Sequence, residues 1–492
     1  MKYYIGADLG TSALKLLLTD VNGNIINSVT NSYDVSYPAP GWSEQSPDLW
    51  WDAFCKGIKQ LTKDVAPDDI DGIAVAGQMH GLVILDENDH VIRPAILWND
   101  GRTDNETDYL NTVIGKQKLS ELTANIAFAG FTAPKILWMQ KNEPENFAKI
   151  KKIMLPKDYI NYRLTGVFAT DYSDASGMLL LDVKNKCWSK EMIKICNISE
   201  NQLPALFDSY KKIGTVCDQV AKELGISTNT VVAAGAGDNA AAAVGTGTVG
   251  NGKCNISLGT SGTIFISSDK FGVDSNNAIH SFDHSDGGFH LMGCILSAAS
   301  CNKWFCDEIL KTDDYAGQQA DITDDKLGNN HVYFLPYLMG ERSPINDTDA
   351  RGMFIGMRPD TTRSDMILAI LEGVAFAIKD NLEIAKSLGI DITKSGICGG
   401  GGKSPLWRKI ISNVLGVTLE VPLVEEGPGL GGAMLAMVAC GKYESVENCC
   451  EKLVKVKETV ETNKEITARY EAAYKKYKKI YPAVKQLYKD IK

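Results

Sequence analysis

The alternation of hydrophobic and polar positions near the start of the chain predicts two short strands joined by a tight turn. Apolar residues dominate positions 3–7 and 14–19. The segment between them, residues 8–12, reads DLGTS and combines an acid, a glycine and two hydroxyl side chains. Such residues favour turns over regular structure, so the pattern predicts a β-hairpin with an acidic tip.

The same pattern returns half a chain later. Residues 256–258 and 263–267 are mainly apolar and flank a GTSG turn at 259–262. The leucines that begin the shared Leu-Gly-Thr-Ser stretch, Leu9 and Leu258, lie 249 positions apart in a chain of 492 residues. A four-residue match is weak by itself, but the common strand context and the half-length offset predict two related halves.

Three further apolar runs are predicted to be strands that end in polar loops. They cover residues 70–76, 230–234 and 396–398, and the loops after them read GQMHG, GAGDN and GGGG. Ala-rich sequence after the second loop and the segment from Ser404 after the third predict helices. This alternation predicts an α/β fold in both halves. We place the first lobe at 1–248 and the second at 249–492, with a boundary uncertain by tens of residues.

Two patterns in the last third of the chain predict helices. Residues 427–432 read GPGLGG and predict a loop before another apolar helix. Beyond Asn463, five tyrosines recur at helical spacing: Tyr470, Tyr474, Tyr477, Tyr481 and Tyr488. We interpret them as the buried stripe of one helix with solvated lysines, in preference to an RNA or membrane contact.

Composition and charge exclude several classes of function. Lys and Arg number 51 against 61 Asp and Glu, a net charge of -10, which is opposite to what a nucleic-acid binder needs. Twelve cysteines show no C-x-x-C pair, so neither a zinc site nor a disulfide framework is indicated. No apolar run approaches 18 residues. We therefore expect a cytoplasmic protein that binds neither nucleic acid nor membrane.

The first hairpin tip has the composition of a phosphate site. Asp8 stands close to Gly10, Thr11 and Ser12, so a carboxylate, backbone N–H groups and hydroxyls suited to phosphate and Mg²⁺ come together. These are also common turn residues for conformational reasons alone. The matching turn, with Gly259, Thr260 and Ser261, lacks the acid. Together the two turns suggest two different phosphate contacts in one cleft.

Two other strand-end loops carry candidate reactive side chains. Asp238 lies in a glycine-rich strand-to-helix turn, where it is either a helix N-cap or a general base that reaches a substrate hydroxyl. His80 lies in a loop with Gln78 and Met79, where surface hydrogen bonding is the plainer reading.

The four glycines at 399–402 allow close backbone approach at a helix N-terminus, or else form only a tight connection. They satisfy neither the Walker A spacing nor a Rossmann fingerprint with its acid.

Several segments together resemble the FGGY carbohydrate kinase family, and within it the xylulokinase branch, across essentially the whole chain. The sequence GFTAPKILWMQKN at 130–142 looks like the first family signature, and GMFIGM at 352–357 through AILE at 369–372 looks like the second. Features similar to the xylulokinase branch are GWSEQ at 41–45, GQMHG at 77–81, ILWNDGR at 96–102, LPKDY at 155–159 and GER at 340–342.

The resemblance implies two actin-like ATPase (ribonuclease-H-like) lobes around a central cleft, with ATP and Mg²⁺ as cofactors. It also implies transfer of the γ-phosphate to the 5-hydroxyl of D-xylulose. By position in the matching motifs, Asp238 would be the catalytic base and Asp8 would hold Mg²⁺. The sugar would contact Gln78, Met79, His80 and Asn239. The phosphates and nucleotide would be bound by Thr11, Lys15, Gly259, Thr260, Ser261, Gly400, Gly401 and Ser404.

Phosphoryl transfer needs mainly positioning and charge neutralisation from the protein, so we expect late proton transfer to Asp238 with no need for a shifted pKa. Lobe closure over the sugar is expected to exclude water.

Two departures from the family pattern stand out: Gly402, where relatives often have Ala, and Ala299, where some have Gly. The alternatives are an FGGY kinase for another ketose, polyol or aldonate, and an actin-like or chaperone-type ATPase switch. A homodimer stays an open option.

Overall fold

The computed structural model describes residues 1–491, and each half of the chain builds its own seven-stranded sheet. The first sheet contains β1 (Tyr3–Leu9), β2 (Ala13–Asp20), β3 (Ile25–Ser32), β4 (Ile70–Gly77), β5 (Lys212–Thr215), β6 (Val231–Ala233) and β7 (Ala236–Gly237). The second contains β8 (Lys253–Leu258), β9 (Gly262–Ser268), β10 (His280–Asp283), β11 (Phe289–Ile295), β12 (Lys394–Cys398), β13 (Thr418–Pro422) and β14 (Val456–Val460).

The helices cover the sheets and the connections between strands. They are α1 (Pro47–Leu61), α2 (Asp104–Tyr109), α3 (Lys116–Thr123), α4 (Thr132–Asn142), α5 (Pro144–Lys149), α6 (Pro156–Thr165), α7 (Tyr172–Ala175), α8 (Lys190–Ile195), α9 (Asp218–Leu224), α10 (Asp238–Gly245), α11 (Ala299–Trp304), α12 (Tyr315–Gln319), α13 (Arg363–Ser387), α14 (Pro405–Leu415), α15 (Gly427–Ala439), α16 (Val446–Leu453), α17 (Lys464–Tyr477) and α18 (Ile480–Asp490).

The two sheets have the same order of strand directions, which explains the repeated hairpin in the sequence. The first runs β3-β2-β1-β4-β6-β5 and the second runs β11-β9-β8-β12-β13-β14, with β7 beside β4 and β10 beside β11. In each sheet an antiparallel three-stranded unit is followed by two parallel strands and an antiparallel edge. The prediction of two related α/β halves is confirmed.

Asp8 lies inside a strand, whereas the polarity of residues 8–12 predicted it in the turn. β1 continues to Leu9 because its backbone pairs on both sides at this point. Asp8 is opposite Lys15 in β2 and opposite Ala76 in β4. Consequently the carboxylate is fixed on a rigid element close to the end of the strand.

The GPGLGG segment is the first part of helix α15, and the prediction of a loop there is wrong. Its glycines are used for close packing between backbones. A Cβ atom on Gly6 of β1 would lie 1.8 Å from the Gly429 carbonyl oxygen, and one on Gly431 would lie 1.8 Å from the Ala241 carbonyl oxygen. Helix α15 thus packs tightly on the first sheet and on α10.

The tyrosine-rich end of the chain forms two helices, α17 and α18, where the spacing predicted one. The packing of the stripe is nevertheless as predicted. The rings of Tyr470, Tyr474 and Tyr477 lie 6.2, 5.8 and 5.0 Å from the ring of Phe376 in α13. These tyrosines are buried and belong to the core of the second half.

In the described part of the chain, every helix is too short or too polar to cross a membrane.

Candidate active site

Three strand ends of the first sheet meet at one edge, and each carries a predicted site residue. Strands β1, β4 and β7 are parallel, with Leu9 opposite Gly77 and Gly77 opposite Gly237. The chain leaves these strands towards the first hairpin tip, the GQMHG loop and Asp238. Residues far apart in sequence therefore meet at the same edge because the register of the sheet is fixed.

Asp238 is the first residue of α10, and its carboxylate is half-buried at the helix N-terminus. The cap itself is Gly237, so Asp238 is not the N-cap that its glycine-rich setting allowed. The Asp238 Oδ1 atom accepts hydrogen bonds from Asn239, at 2.7 Å from the backbone N–H and 3.0 Å from Nδ2. Burial, and then the negative charge of Asp8, raise the pKa of Asp238 from 3.8 to about 7. A carboxylate with this pKa is suited to proton transfer near neutral pH, although the sequence argument required no shift.

Asp8 faces the same edge with a carboxylate that receives no hydrogen bond from the described residues. Burial raises the pKa of Asp8 to about 6, with Lys15 opposing the shift and Glu426 adding to it. Lys15 is paired with Glu426, which precedes α15. A half-buried carboxylate with free lone pairs is a ligand that Mg²⁺ accepts. No group of three or more His, Cys, Asp or Glu within residues 1–491 could hold a metal ion unaided.

The GQMHG loop is held in a fixed shape around His80. The backbone of His80 is left-handed, with φ 70°. Its Nδ1 lies 2.8 Å from the Gly177 carbonyl oxygen, which can only accept, so Nδ1 carries the proton and Nε2 keeps a lone pair. Burial, together with Lys135, lowers the pKa of His80 to about 3. The imidazole is therefore a neutral acceptor, and the ring lies 4.7 Å from that of Phe131.

Two side chains of the first family signature hold this loop in place, a role that the sequence did not indicate. The His80 carbonyl oxygen accepts a hydrogen bond from Thr132 Oγ1 at 3.0 Å and one from Lys135 Nζ at 2.9 Å. Lys135 is fully buried and also donates to the Gly130 carbonyl oxygen at 2.8 Å. Burial lowers the pKa of Lys135 to about 7. A buried amine that binds two carbonyl oxygens is a structural anchor for the loop.

Thr11 and Gln78 meet at the end of the hairpin. Thr11 Oγ1 donates to Gln78 Oε1 at 3.3 Å and accepts from Trp98 Nε1 at 2.9 Å. The indole of Trp98 is 46% exposed. Trp98 lies in the ILWNDGR motif, but the sequence assigned it no role. Met79 is buried beside Gly237, where a Cβ would lie 3.1 Å from Met79 Sδ.

A second group of predicted residues lines a cleft of about 800 Å³ in the other half of the chain. Five of them reach it: Gly259, Thr260, Gly400, Gly401 and Ser404. Ser404 caps α14 by accepting from the Trp407 N–H at 3.1 Å and donates to Gln319 at 2.6 Å. Gly401 must be small, since a Cβ there would lie 2.6 Å from Leu258 Cδ2.

Ser261 lies outside the residues that line this cleft. Ala299, which the sequence marked only as a departure from the family pattern, also lines the cleft. Further lining residues were not predicted, because no pattern distinguishes them from an ordinary amphipathic helix: Ser300, Lys303, Trp304, Tyr315 and Gln319. The cleft is large enough for a ligand the size of a nucleotide.

Comparison with known proteins gives a consistent result over the whole chain. The N-terminal domain of the FGGY family of carbohydrate kinases matches residues 3–245, and the C-terminal domain of that family matches residues 254–440. The xylulose kinase of Escherichia coli (strain K12) is 40% identical over 449 residues, 90% of this chain and 91% of that protein.

Solved structures agree with the sequence matches. The crystal structure of a xyloylose kinase from Brucella ovis has a TM-score of 0.92 and 38% identity, covering 99% of this chain and 100% of that one. A gluconate kinase from Lactobacillus acidophilus has a TM-score of 0.93 at 26% identity, with 100% of both chains covered. The predicted fold class, two actin-like α/β lobes, is confirmed.

Proposed function

The chain belongs to the FGGY family of carbohydrate kinases and is an ATP-dependent sugar kinase, and we propose that its acceptor is D-xylulose. The reaction forms a bond between the 5-hydroxyl oxygen of the sugar and the γ-phosphorus of ATP. The bond from that phosphorus to the bridging oxygen breaks, and ADP leaves. Membership of this family argues against the alternative function, an actin-like or chaperone-type ATPase switch without sugar kinase activity.

The observation that carries the proposal is the meeting of Asp238 with the His80 loop at one sheet edge. Asp238 orients the 5-hydroxyl and takes its proton as the new phosphorus–oxygen bond forms. A pKa of about 7 matches this task, since the carboxylate is then ionised in half or more of the molecules at neutral pH and is still basic enough to hold the proton. Asn239, which donates to Asp238 Oδ1, fixes the direction of the carboxylate.

The state of His80 supports a neutral sugar as the substrate. Because Nδ1–H is committed to the Gly177 carbonyl oxygen, Nε2 is left to accept a hydrogen bond from a hydroxyl group. A carboxylate group placed at Nε2 has no proton to offer this neutral acceptor, whereas each hydroxyl group of a sugar has one. A ketose therefore suits this pocket better than an aldonate such as gluconate. Met79 would supply the apolar wall of the pocket.

The nucleotide is proposed to occupy the 800 Å³ cleft, with its phosphates directed towards Asp8. Gly400 and Gly401 leave space for close approach of the backbone, and the N-terminus of α14 offers a positive dipole. Asp8 would hold Mg²⁺, which neutralises charge on the phosphates when bound. Its free, half-buried carboxylate fits that ion.

Closure of the two lobes over the sugar is also proposed, because exclusion of water suppresses wasteful ATP hydrolysis. Contacts between the lobes already reach the sugar side. The backbone N–H of Asp283 in β10 donates to Ser176 Oγ at 2.9 Å, and Lys186 Nζ lies 3.3 Å from Asp283 Oδ1. Small-angle scattering should show compaction when D-xylulose and a non-hydrolysable ATP analogue are added together.

The test of the proposed function is ADP release measured with a panel of sugars at fixed Mg-ATP. The panel contains D-xylulose, D-ribulose, L-ribulose, glycerol, xylitol and D-gluconate, ranked by kcat/KM. We expect D-xylulose to rank first by at least about tenfold. A higher rank for D-gluconate or for a polyol would replace D-xylulose by that acceptor, and ADP release that ignores every sugar would contradict the assignment of the site.

A further inference from the structure

A buried charged cluster lies directly beneath the sheet edge that carries Asp238. Lys157 Nζ is 2.6 Å from Asp158 Oδ1, 2.9 Å from Asp171 Oδ1 and 3.7 Å from Asp174 Oδ2. All four side chains are at most 1% exposed. Taking such charges out of water costs free energy that their attraction seldom recovers, so stability alone is a weak reason for their presence. None of the four has a part in the phosphoryl transfer described above.

Asp171 links this cluster to the sheet edge: its Oδ1 atom pairs with Lys157, and its Oδ2 atom accepts three hydrogen bonds. Its Oδ2 atom accepts hydrogen bonds from the Ser173 N–H at 2.9 Å, from Ser173 Oγ at 2.5 Å and from Ser209 Oγ at 2.7 Å. With its proton committed to Asp171, Ser173 Oγ can offer only lone pairs to other groups. It accepts the backbone N–H of Gly237 at 3.2 Å. Gly237 is the residue immediately before Asp238.

The same segment of chain reaches the sugar loop from below. Gly177, four residues after Ser173, supplies the carbonyl oxygen that binds His80 Nδ1. A Cβ on Gly77, at the end of β4, would lie 2.8 Å from Lys157 Cβ, so the cluster packs directly against that strand end. The stretch from Asp171 to Gly177 thus contacts both loops of the sugar site through different groups.

We propose that Ser173, held by Asp171 and Lys157, is a positioning residue that fixes the Gly237 peptide and thereby the direction of the Asp238 carboxylate. This inference rests on the proposed role of Asp238 as the base. A carboxylate displaced by about 1 Å from the reacting hydroxyl can lose on the order of 100-fold in rate. The buried charges give Ser173 a rigid support, since Asp171 has no other orientation that keeps its four contacts.

The chain offers a matched control for this proposal in Ser209. Both hydroxyls are in buried residues and donate to the same oxygen of Asp171, but only Ser173 Oγ contacts the Gly237 peptide. The experiment compares Ser173→Ala with Ser209→Ala in the full-length enzyme. For each, kcat, the KM of the sugar, the KM of ATP and the melting temperature are measured.

We expect Ser173→Ala to lower kcat by about 10- to 100-fold while the sugar KM stays within about threefold. Ser209→Ala should keep kcat within about threefold of wild type, with a similar change in melting temperature. Equal losses of kcat in the two variants would show a merely structural role and overturn the proposal. So would an unchanged kcat in Ser173→Ala.

The comparison of the two serine variants is independent of whether D-xylulose is the natural acceptor. Both variants are referred to wild-type turnover with whichever sugar the enzyme phosphorylates best, so a different natural acceptor leaves the comparison intact. Should Ser173→Ala not fold, Ser173→Cys fills nearly the same space with a poorer hydrogen-bond acceptor and is expected to show the same selective loss in kcat. Wild-type kcat in a folded Ser173→Cys protein would overturn the proposal.

Discussion

Replacing Asp238 by asparagine should stabilise the ligand-free protein at alkaline pH, although it removes the proposed base. The side chain keeps its shape and an oxygen for the Asn239 N–H, and it loses only the ionisable group. Each pKa unit corresponds to about 1.4 kcal/mol. Moving the pKa of Asp238 from 3.8 to about 7 therefore costs at most about 4 kcal/mol when the carboxylate is ionised, and partial exposure to solvent reduces this to about 2 kcal/mol.

The sign of the pH dependence follows from proton binding. Between about pH 4 and pH 7 the folded protein holds a proton on Asp238 that the unfolded chain has released. The contribution of Asp238 to the free energy of unfolding therefore falls as pH rises through this window and is level above it. The Asp238→Asn protein lacks this loss. Its free energy of unfolding should exceed that of the wild type by about 2 kcal/mol at pH 8, and the difference should vanish near pH 4.

Urea unfolding followed by tryptophan fluorescence at pH 8 and pH 4.5 measures the difference. The exposed Asp269→Asn variant is the control, and its midpoint should differ from that of the wild type by the same small amount at both pH values. A stability gain in Asp238→Asn that is the same at both pH values, or no gain at pH 8, would refute the conclusion that burial raises the pKa of this carboxylate.

Three further predictions concern the other parts of the site. Asp8→Asn should raise the Mg²⁺ concentration for half-maximal turnover by roughly tenfold, because the amide is a poorer ligand; an unchanged Mg²⁺ titration would count against Asp8 as the metal ligand. Lys135→Met should raise the sugar KM about tenfold and leave the ATP KM unchanged, because the His80 carbonyl oxygen loses a buried donor; an equal rise in both would point to general damage. Gly401→Ala should raise only the ATP KM, because the new Cβ displaces Leu258 from the wall of the nucleotide cleft; steady-state kinetics with an unchanged ATP KM would contradict this.

The sequence predicts the residues of this site where chemistry and strand pattern coincide. Asp8, His80 and Asp238 all follow or end apolar runs, and parallel strands bring such positions to one edge of a sheet. The register of the sheet, with Gly77 between Leu9 and Gly237, brings these positions together at one edge.

The supporting residues could not be predicted because their partners are distant in the chain. Lys135 binds a carbonyl oxygen 55 positions away, and Ser173 binds an N–H group 64 positions away. A polar residue in a helical pattern is normally assigned to solvent, so a buried amine or hydroxyl gives no local signal. Lys135 and Ser173 are buried instead, because backbone polar groups beside them supply hydrogen-bond partners.

The prediction of a loop at residues 427–432 is wrong for a related reason: the partners of these glycines are also distant in the chain. Glycine in a helix costs about 1 kcal/mol relative to alanine, so a cluster of glycines normally indicates a loop. Here the missing Cβ atoms allow the helix backbone to contact Gly6 and Ala241, which a pattern in one segment cannot reveal. The raised pKa of Asp238 is equally invisible in the sequence, since it results from burial and from the charge of Asp8.

Turnover of the Asp238→Ala protein is the decisive test of Asp238 as the base for phosphoryl transfer to a sugar. ADP release is measured at saturating Mg-ATP and D-xylulose, and calorimetry reports the binding of each ligand. We expect a fall in kcat of at least about 100-fold, with the dissociation constants of sugar and nucleotide within about threefold of wild type. Wild-type turnover by a folded Asp238→Ala protein would contradict this role of Asp238.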